Sequence, residues 1–318
     1  MPDTQTLDKD EIEALFFDLV RADRTTEVKQ LLGHFEAMSR DLREEVGRIV
    51  SKVGSDVMMD VLYKARATSE PKTDFERDYW LIYLDDAIRS KNLNVVQWIL
   101  RNTHRKSERA TMHYHWAITV GLVLESDSEE VFQCLLQTFV EEFTIPQANN
   151  KLSPTTGALG VQVVRAAARR PDRERRLVIL WDKLRGDFLT NNLNQCLRYV
   201  AETCYSIPLA KALLCYGADI NSTKSEGRTT VTPDGESGYR TALHRALRRS
   251  SPEAAEMARF LLYRGANPET TSTRSKHQSI RDEIGTKEIS KWLGMSWDEL
   301  VAKVKADRDA GICPEEFM

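Results

Sequence analysis

The sequence has no apolar run near the roughly 18 residues that a membrane-crossing helix needs. Its first ten residues, Met1 to Asp10, are polar and acidic, where a secretory leader would be basic and then apolar. Neither a span nor a leader is expected, so the cytosol or the nucleus is the expected location. Cysteine is scarce: the five are Cys134, Cys196, Cys204, Cys215 and Cys313, with no Cys-x-x-Cys pair. An odd, scattered set argues against a disulfide framework and a zinc knuckle. Cys134, Cys196 and Cys215 fall in apolar helical patterns and are expected as small buried side chains. Also absent are Gly-x-Gly-x-x-Gly, Gly-x-x-x-x-Gly-Lys-Ser/Thr, His-Glu-x-x-His and Gly-x-Ser-x-Gly. His113 and His115 stand two apart, about 200° around a helix, too far to share a metal. No enzymatic activity, cofactor or metal is expected. The net charge of -3 shows no global basic excess for nucleic acid or anionic lipid.

Hydrophobic residues make up 41% of the 318 and charged residues 29%. That is enough apolar surface to offset the entropy of ordering the chain. The pattern in which it comes is repetitive. Residues 208–221 run Pro-Leu-Ala-Lys-Ala-Leu-Leu-Cys-Tyr-Gly-Ala-Asp-Ile-Asn, and 256–269 run Glu-Met-Ala-Arg-Phe-Leu-Leu-Tyr-Arg-Gly-Ala-Asn-Pro-Glu. Each reads as a helix whose paired leucines close an apolar face. Gly217 and Gly265 follow where a helix exits through a left-handed residue, which glycine tolerates best. Ahead of the second copy stands Thr241-Ala242-Leu243-His244-Arg245-Ala246, with Thr241 a natural N-cap.

Weaker copies follow the leucine of each second helix, placed at Leu32, Leu62, Leu100, Leu136, Leu180, Leu214, Leu262 and Leu293. Their mean spacing is about 37 residues, in the range of known helical repeat units. Residues 15–32, 84–100 and 164–181 each read as two short helices joined by a polar turn. One such pair cannot bury its apolar face alone, whereas stacked pairs can.

Gly-x-x-Thr-Ala-Leu-His-x-Ala, a second helix and then Leu-Leu-x-x-Gly-Ala-Asn resembles an ankyrin repeat. Alanine at Ala242 stands where that family usually has proline. The resemblance implies an all-α fold, an α-solenoid of helix-turn-helix repeats with short hairpin or loop fingers, capped by a C-terminal helix. The organisation it suggests is one array. Degenerate N-terminal repeats span 8–70, ankyrin-like repeats 78–140, a loop 141–160, repeats 161–270 with a long finger at 221–240, and a capping repeat and helix 276–310. In this frame His113 or His115 takes the place His244 holds later, an imidazole that bridges neighbouring loops. Ser296-Trp297-Asp298-Glu299 is a capping box that opens the last helix. Trp292 and Trp297 are expected to seal the end layer, with Leu300, Val301 and Val304 facing inward.

The resemblance also implies a function: a concave surface of first helices and fingers that binds a protein partner. The candidate contacts are Arg228, Tyr239 and Arg240 in the long finger, with Tyr114 and Trp116 on an earlier helix, since Tyr, Trp and Arg dominate binding hot spots. Pro233-Asp234-Gly235 marks a turn in that finger, and Arg228 to Thr232 has the composition of a short strand. A regulatory subunit that occludes an enzyme's site is a second reading. A third is nucleic-acid or phosphate binding through the basic run Arg165, Arg169, Arg170, Arg173, Arg175 and Arg176. No aromatic residues interleave that run, so base stacking is poorly supported and a solvated helix face is expected. A monomer is expected.

Overall fold

A computed structural model describes residues 8–69, 76–103, 112–143, 160–168, 170–183, 190–223, 240–270 and 280–318. Every regular element among them is helical. This is the all-α class that the resemblance implies. The chain forms two compact units, Met1–Lys151 and Leu152–Met318.

In the first unit the helices run α1 (Lys9–Arg21), α2 (Thr25–Gln30), α3 (Leu32–Ala37), α4 (Arg40–Val53), α5 (Asp56–Ser69), α6 (Glu76–Arg89), α7 (Leu93–Thr103), α8 (Met112–Glu125) and α9 (Glu129–Phe143). Two rows result. Helices α1, α4, α6 and α8 pack in sequence as first helices, and α2 with α3, then α5, α7 and α9, pack as second helices. Between the rows lies a core that includes Phe16, Val50, Met58, Leu84, Val96 and Phe132. Phe16 of α1 stacks on Phe35 of α3 with ring centroids 5.6 Å apart.

The turns inside successive hairpins are tied to one another. Asp23 Oδ1 accepts from the backbone N–H and the hydroxyl of Ser55, each at 3.0 Å. Ser55 Oγ in turn accepts from the Met58 N–H at 3.1 Å, the bond of an N-cap at the head of α5. One hairpin further on, Asn92 Nδ2 donates to the carbonyl of Gly54 at 2.8 Å. These bonds hold each turn to the next one.

The second unit holds α10 (Val161–Ala167), α11 (Pro171–Lys183), α12 (Thr190–Tyr199), α13 (Ile207–Cys215), α14 (Ala242–Ala246), α15 (Pro252–Tyr263), α16 (Ile284–Leu293) and α17 (Trp297–Asp309). A π-helical turn, Val200–Cys204, extends α12. Helices α10, α12 and α14 pack as first helices, α11 packs on α13, and α15 packs on both α16 and α17. Pro208 and Pro252 sit in the first turns of α13 and α15, where the missing N–H costs nothing, behind the N-cap hydroxyls of Ser206 and Ser251.

Gly217 and Gly265 have φ of 97° and 101°, in the left-handed region expected of them. At each, the glycine and the following alanine donate back to the two preceding leucine carbonyls, at 2.9 to 3.1 Å. This double bond pattern closes a helix C-terminus. Ser296 caps α17 with Glu299 reaching back, and Trp297, Leu300 and Val304 are buried.

Several expectations shift. Of the placed leucines, Leu32, Leu214 and Leu293 are half-buried, and the core positions are Leu31, Leu213 and Ile289. Trp292 is 38% exposed rather than an end plug, because its indole lies over the turn, with Nε1 3.4 Å from Ser250 Oγ. Val301 is half-buried. Cys196 is buried, but Cys134 is intermediate and Cys215 exposed. Cys215 lies at the last position of α13, where the helix face has turned outward. The possible strand at 228–232 lies outside the described residues.

Two glycines test this packing against each other. A Cβ on Gly285, at the start of α16, would stand 2.7 Å from the carbonyl oxygen and 2.9 Å from the Cα of Leu247. Backbone cannot rotate away, and the Gly285 N–H already donates to that carbonyl at 2.8 Å. Gly33, within α3, has nothing within 4 Å. Gly285→Ala is expected to lower the unfolding free energy by about 1–3 kcal/mol. Gly33→Ala is expected to raise it by up to about 1 kcal/mol. Urea denaturation of both variants checks the pair; equal effects would mean that α16 is not seated on Leu247.

Candidate binding surface

The candidate surface lies in the second unit, where two successive repeats are locked together by polar groups. Asn194 of α12 accepts from the Asp219 N–H at 2.6 Å, and Asp219 Oδ1 accepts from the Asn221 N–H at 2.9 Å. Asn221 then reaches the next repeat: its Nδ2 donates to Gly265 O at 3.2 Å, and its Oδ1 accepts from Asn267 N–H at 2.8 Å. Asn267 Oδ1 closes the same local turn on Glu269 N–H at 2.9 Å. The Asp and Asn of the two Gly-Ala-Asp/Asn copies thus do identical work, fixing the chain as it leaves each second helix.

A charged clamp joins the same repeats from the other end of the first helices. Glu202, in the π-helical turn, accepts from Arg245 Nη1 at 2.9 Å and Arg248 Nη1 at 2.6 Å. All three side chains are between 20% and 34% exposed. Partial burial makes such charge-assisted bonds stronger than fully exposed ones. It also commits Arg245 and Arg248 to a contact within the chain.

Thr241 and His244 build the head of α14. Thr241 Oγ1 accepts from the His244 N–H at 3.4 Å and lies 2.8 Å from His244 Nδ1. The Thr241 N–H also donates to Nδ1 at 3.3 Å. Nδ1 therefore acts as acceptor, which leaves the ring proton on Nε2. The imidazole is fully buried, and Nε2 has no hydrogen-bond partner among the described residues. His244 was expected to bridge neighbouring loops; it closes its own helix turn instead. Burial, with the nearby cations of Arg240 and Arg245, pushes its pKa down to about 4.

The finger residues divide. Arg228 and Tyr239 lie outside the described residues. Arg240, expected at the partner surface, is only 7% exposed. Its guanidinium stands 3.4 Å from the carboxylate of Glu283, itself 5% exposed, on the segment leading into α16. A cation buried in this way joins the repeat to its capping helix and is not a surface contact. Tyr114 and Trp116 lie on α8, with their side chains outside the described residues, as are those of His113 and His115.

The basic run is unevenly exposed. Arg165, Arg170 and Arg175 are exposed, Arg173 and Arg176 are half-buried, and Arg169 lies outside the described residues. Arg173 turns back to the carbonyl of Ala166 at 3.4 Å. Among the described residues no group of three His, Cys, Asp or Glu side chains could hold a metal ion. Burial drives the Cys196 thiol up to about 12, far from a nucleophilic thiolate at neutral pH. No helix among the described residues is long and apolar enough to cross a membrane.

A buried neutral histidine has a consequence for stability. Between pH 6.5 and about 4 the unfolded chain binds a proton at His244 that the folded chain does not. Stability contributed by the neutral ring is complete above 6.5 and is lost as the pH falls toward 4. The slope attributable to one such group approaches about 1.4 kcal/mol per pH unit. Chemical denaturation from pH 7 to 4.5, comparing the unaltered chain with His244→Asn, isolates it. The difference between the two is expected to shrink as the pH falls. A pH-independent difference would mean that the folded protein accommodates the imidazolium.

The ankyrin repeat family model matches residues 239–272. No curated protein and no solved structure matches the chain. The match begins two residues before the Thr241 cap and ends past the Gly265 exit, enclosing α14, α15 and the turn after them. Sequence motif, helix pair and glycine exit coincide, and residues 239–272 are an ankyrin repeat set within an all-α array of helical hairpins.

Proposed function

We propose that this chain is a non-catalytic scaffold or adaptor. It binds a protein partner through the row of first helices and the finger that precedes the ankyrin repeat. The ankyrin repeat at 239–272 carries this reading, because such repeats serve as protein-binding modules. The polar ladder from Asn194 through Asn221 to Asn267 supports it: a surface held by bonds between repeats loses little entropy when a partner docks. The partner recognised is a folded protein rather than nucleic acid: Glu202 engages both Arg245 and Arg248, and no aromatic residues interleave the basic run at 165–176 to stack on bases. The protein works as a monomer in the cytosol or nucleus and acts without metal or cofactor.

The test uses the full chain as bait in a native extract, beside its Arg228→Ala/Tyr239→Ala variant. One stoichiometric protein partner is expected for the unaltered chain, reduced at least about tenfold for the variant, as loss of two hot-spot side chains implies. Capture of only nucleic acid or lipid, released by about 0.5 M salt, would overturn the reading.

A further inference from the structure

Past α17 the chain folds back onto the ankyrin repeat. Gly311, at φ 72°, turns it, and the Ile312 N–H donates to Asp307 O at 2.7 Å. Pro314 then opens a single 3-10 turn, Glu315–Phe317. Phe317 is fully buried. Its ring meets Phe260 edge-on and Tyr263 at a tilt, each at 5.6 Å between centroids. The Arg259 guanidinium carbon stands 5.0 Å from the same ring, and Arg259 Nη2 binds Glu316 Oε1 at 3.0 Å.

The walls of this groove are joined without that segment. Helix α15 packs on α17, Leu300 and Val304 are buried, and the Tyr263 hydroxyl donates to Asp307 Oδ2 at 2.5 Å. The side chains on either side of this stretch face solvent: Ile312 is 55% exposed and Met318 70%. One aromatic ring and one carboxylate therefore make the main side-chain contacts of the segment. Arg259 is the group on the repeat that reads both, through its charge and through the ring face.

We propose that the groove between α15 and α17 is a docking site for a protein segment in which an acidic residue directly precedes phenylalanine, and that Glu316-Phe317 occupies it in cis. The inference rests on the protein-binding reading above and names a second contact surface for it. A tethered occupant acts at an effective concentration on the order of millimolar. Such an occupant masks the groove until a partner segment outcompetes it.

The probe is a labelled peptide, Ile-Cys-Pro-Glu-Glu-Phe-Met, titrated by fluorescence anisotropy into the full chain. Phe317→Ala in the full chain is expected to bind it at least about tenfold more tightly than the unaltered chain does. Adding Arg259→Glu to that variant is expected to lose about tenfold, as removal of a charge-assisted bond implies. A folded Phe317→Ala chain that binds no peptide at about 1 mM overturns the proposal, because it makes Phe317 a fixed part of the fold. If Phe317→Ala does not fold, Glu316→Lys keeps the ring and weakens its hold; a several-fold gain supports the proposal and no gain overturns it. A partner captured in the extract experiment without peptide binding here removes the groove and leaves the scaffold reading standing.

Discussion

A helical hairpin in this protein is possible only if the chain reverses within a few residues, and four of the described hairpins do so through one residue held at positive φ. Asp23, Lys91, Asp127 and Tyr205 all have φ between 50° and 57°. Each stands two residues before the first residue of a second helix: Thr25, Leu93, Glu129 and Ile207. A side chain in that region costs about 1 kcal/mol or more. The strain persists because the reversal sets both rows. It aims the second helix back along the first, and every apolar contact between hairpins follows from that direction. At Asp23 the side chain offsets part of the cost by binding the Ser55 cap.

The same constraint explains what was legible in the sequence. Gly217 and Gly265 announce their helix exits because glycine is the residue that adopts φ near 100° without strain. Thr241 and Ser296 announce helix starts because a hydroxyl there satisfies a free N–H. Asp23, Lys91, Asp127 and Tyr205 do equivalent work with ordinary side chains, so nothing in composition marks them. The degenerate hairpins could be found only through their leucines, and Leu31 and Leu213 show that such an anchor can slip by one residue. At the candidate surface, arginine in a finger reads as a contact. The burial of Arg240 depends on Glu283, 43 residues along, which no local pattern connects to it. The role of Phe317 was hidden for the same reason.

Charge in the second unit is spent on joining repeats. Glu202 faces two arginines, Arg240 faces Glu283, and Arg259 faces Glu316 on the segment past α17. The π-helical turn at Val200–Cys204 matters here, since an extra residue in the last turn of α12 alters the direction in which Glu202 projects. Such a turn is conspicuous in the backbone and invisible in hydrophobic periodicity.

The cross-hairpin bonds share one more property. Asp23 to Ser55 spans 32 residues, Gly54 to Asn92 spans 38, and Asn221 to Asn267 spans 46. Each links a hairpin to its successor, and none requires distant parts of the chain to meet. Loop closure over such short separations costs little entropy, and topologies built from near neighbours fold quickly. A nascent chain could therefore complete each hairpin against the one already emerged. Synthesis on the ribosome and assembly of the stack would then proceed in the same order.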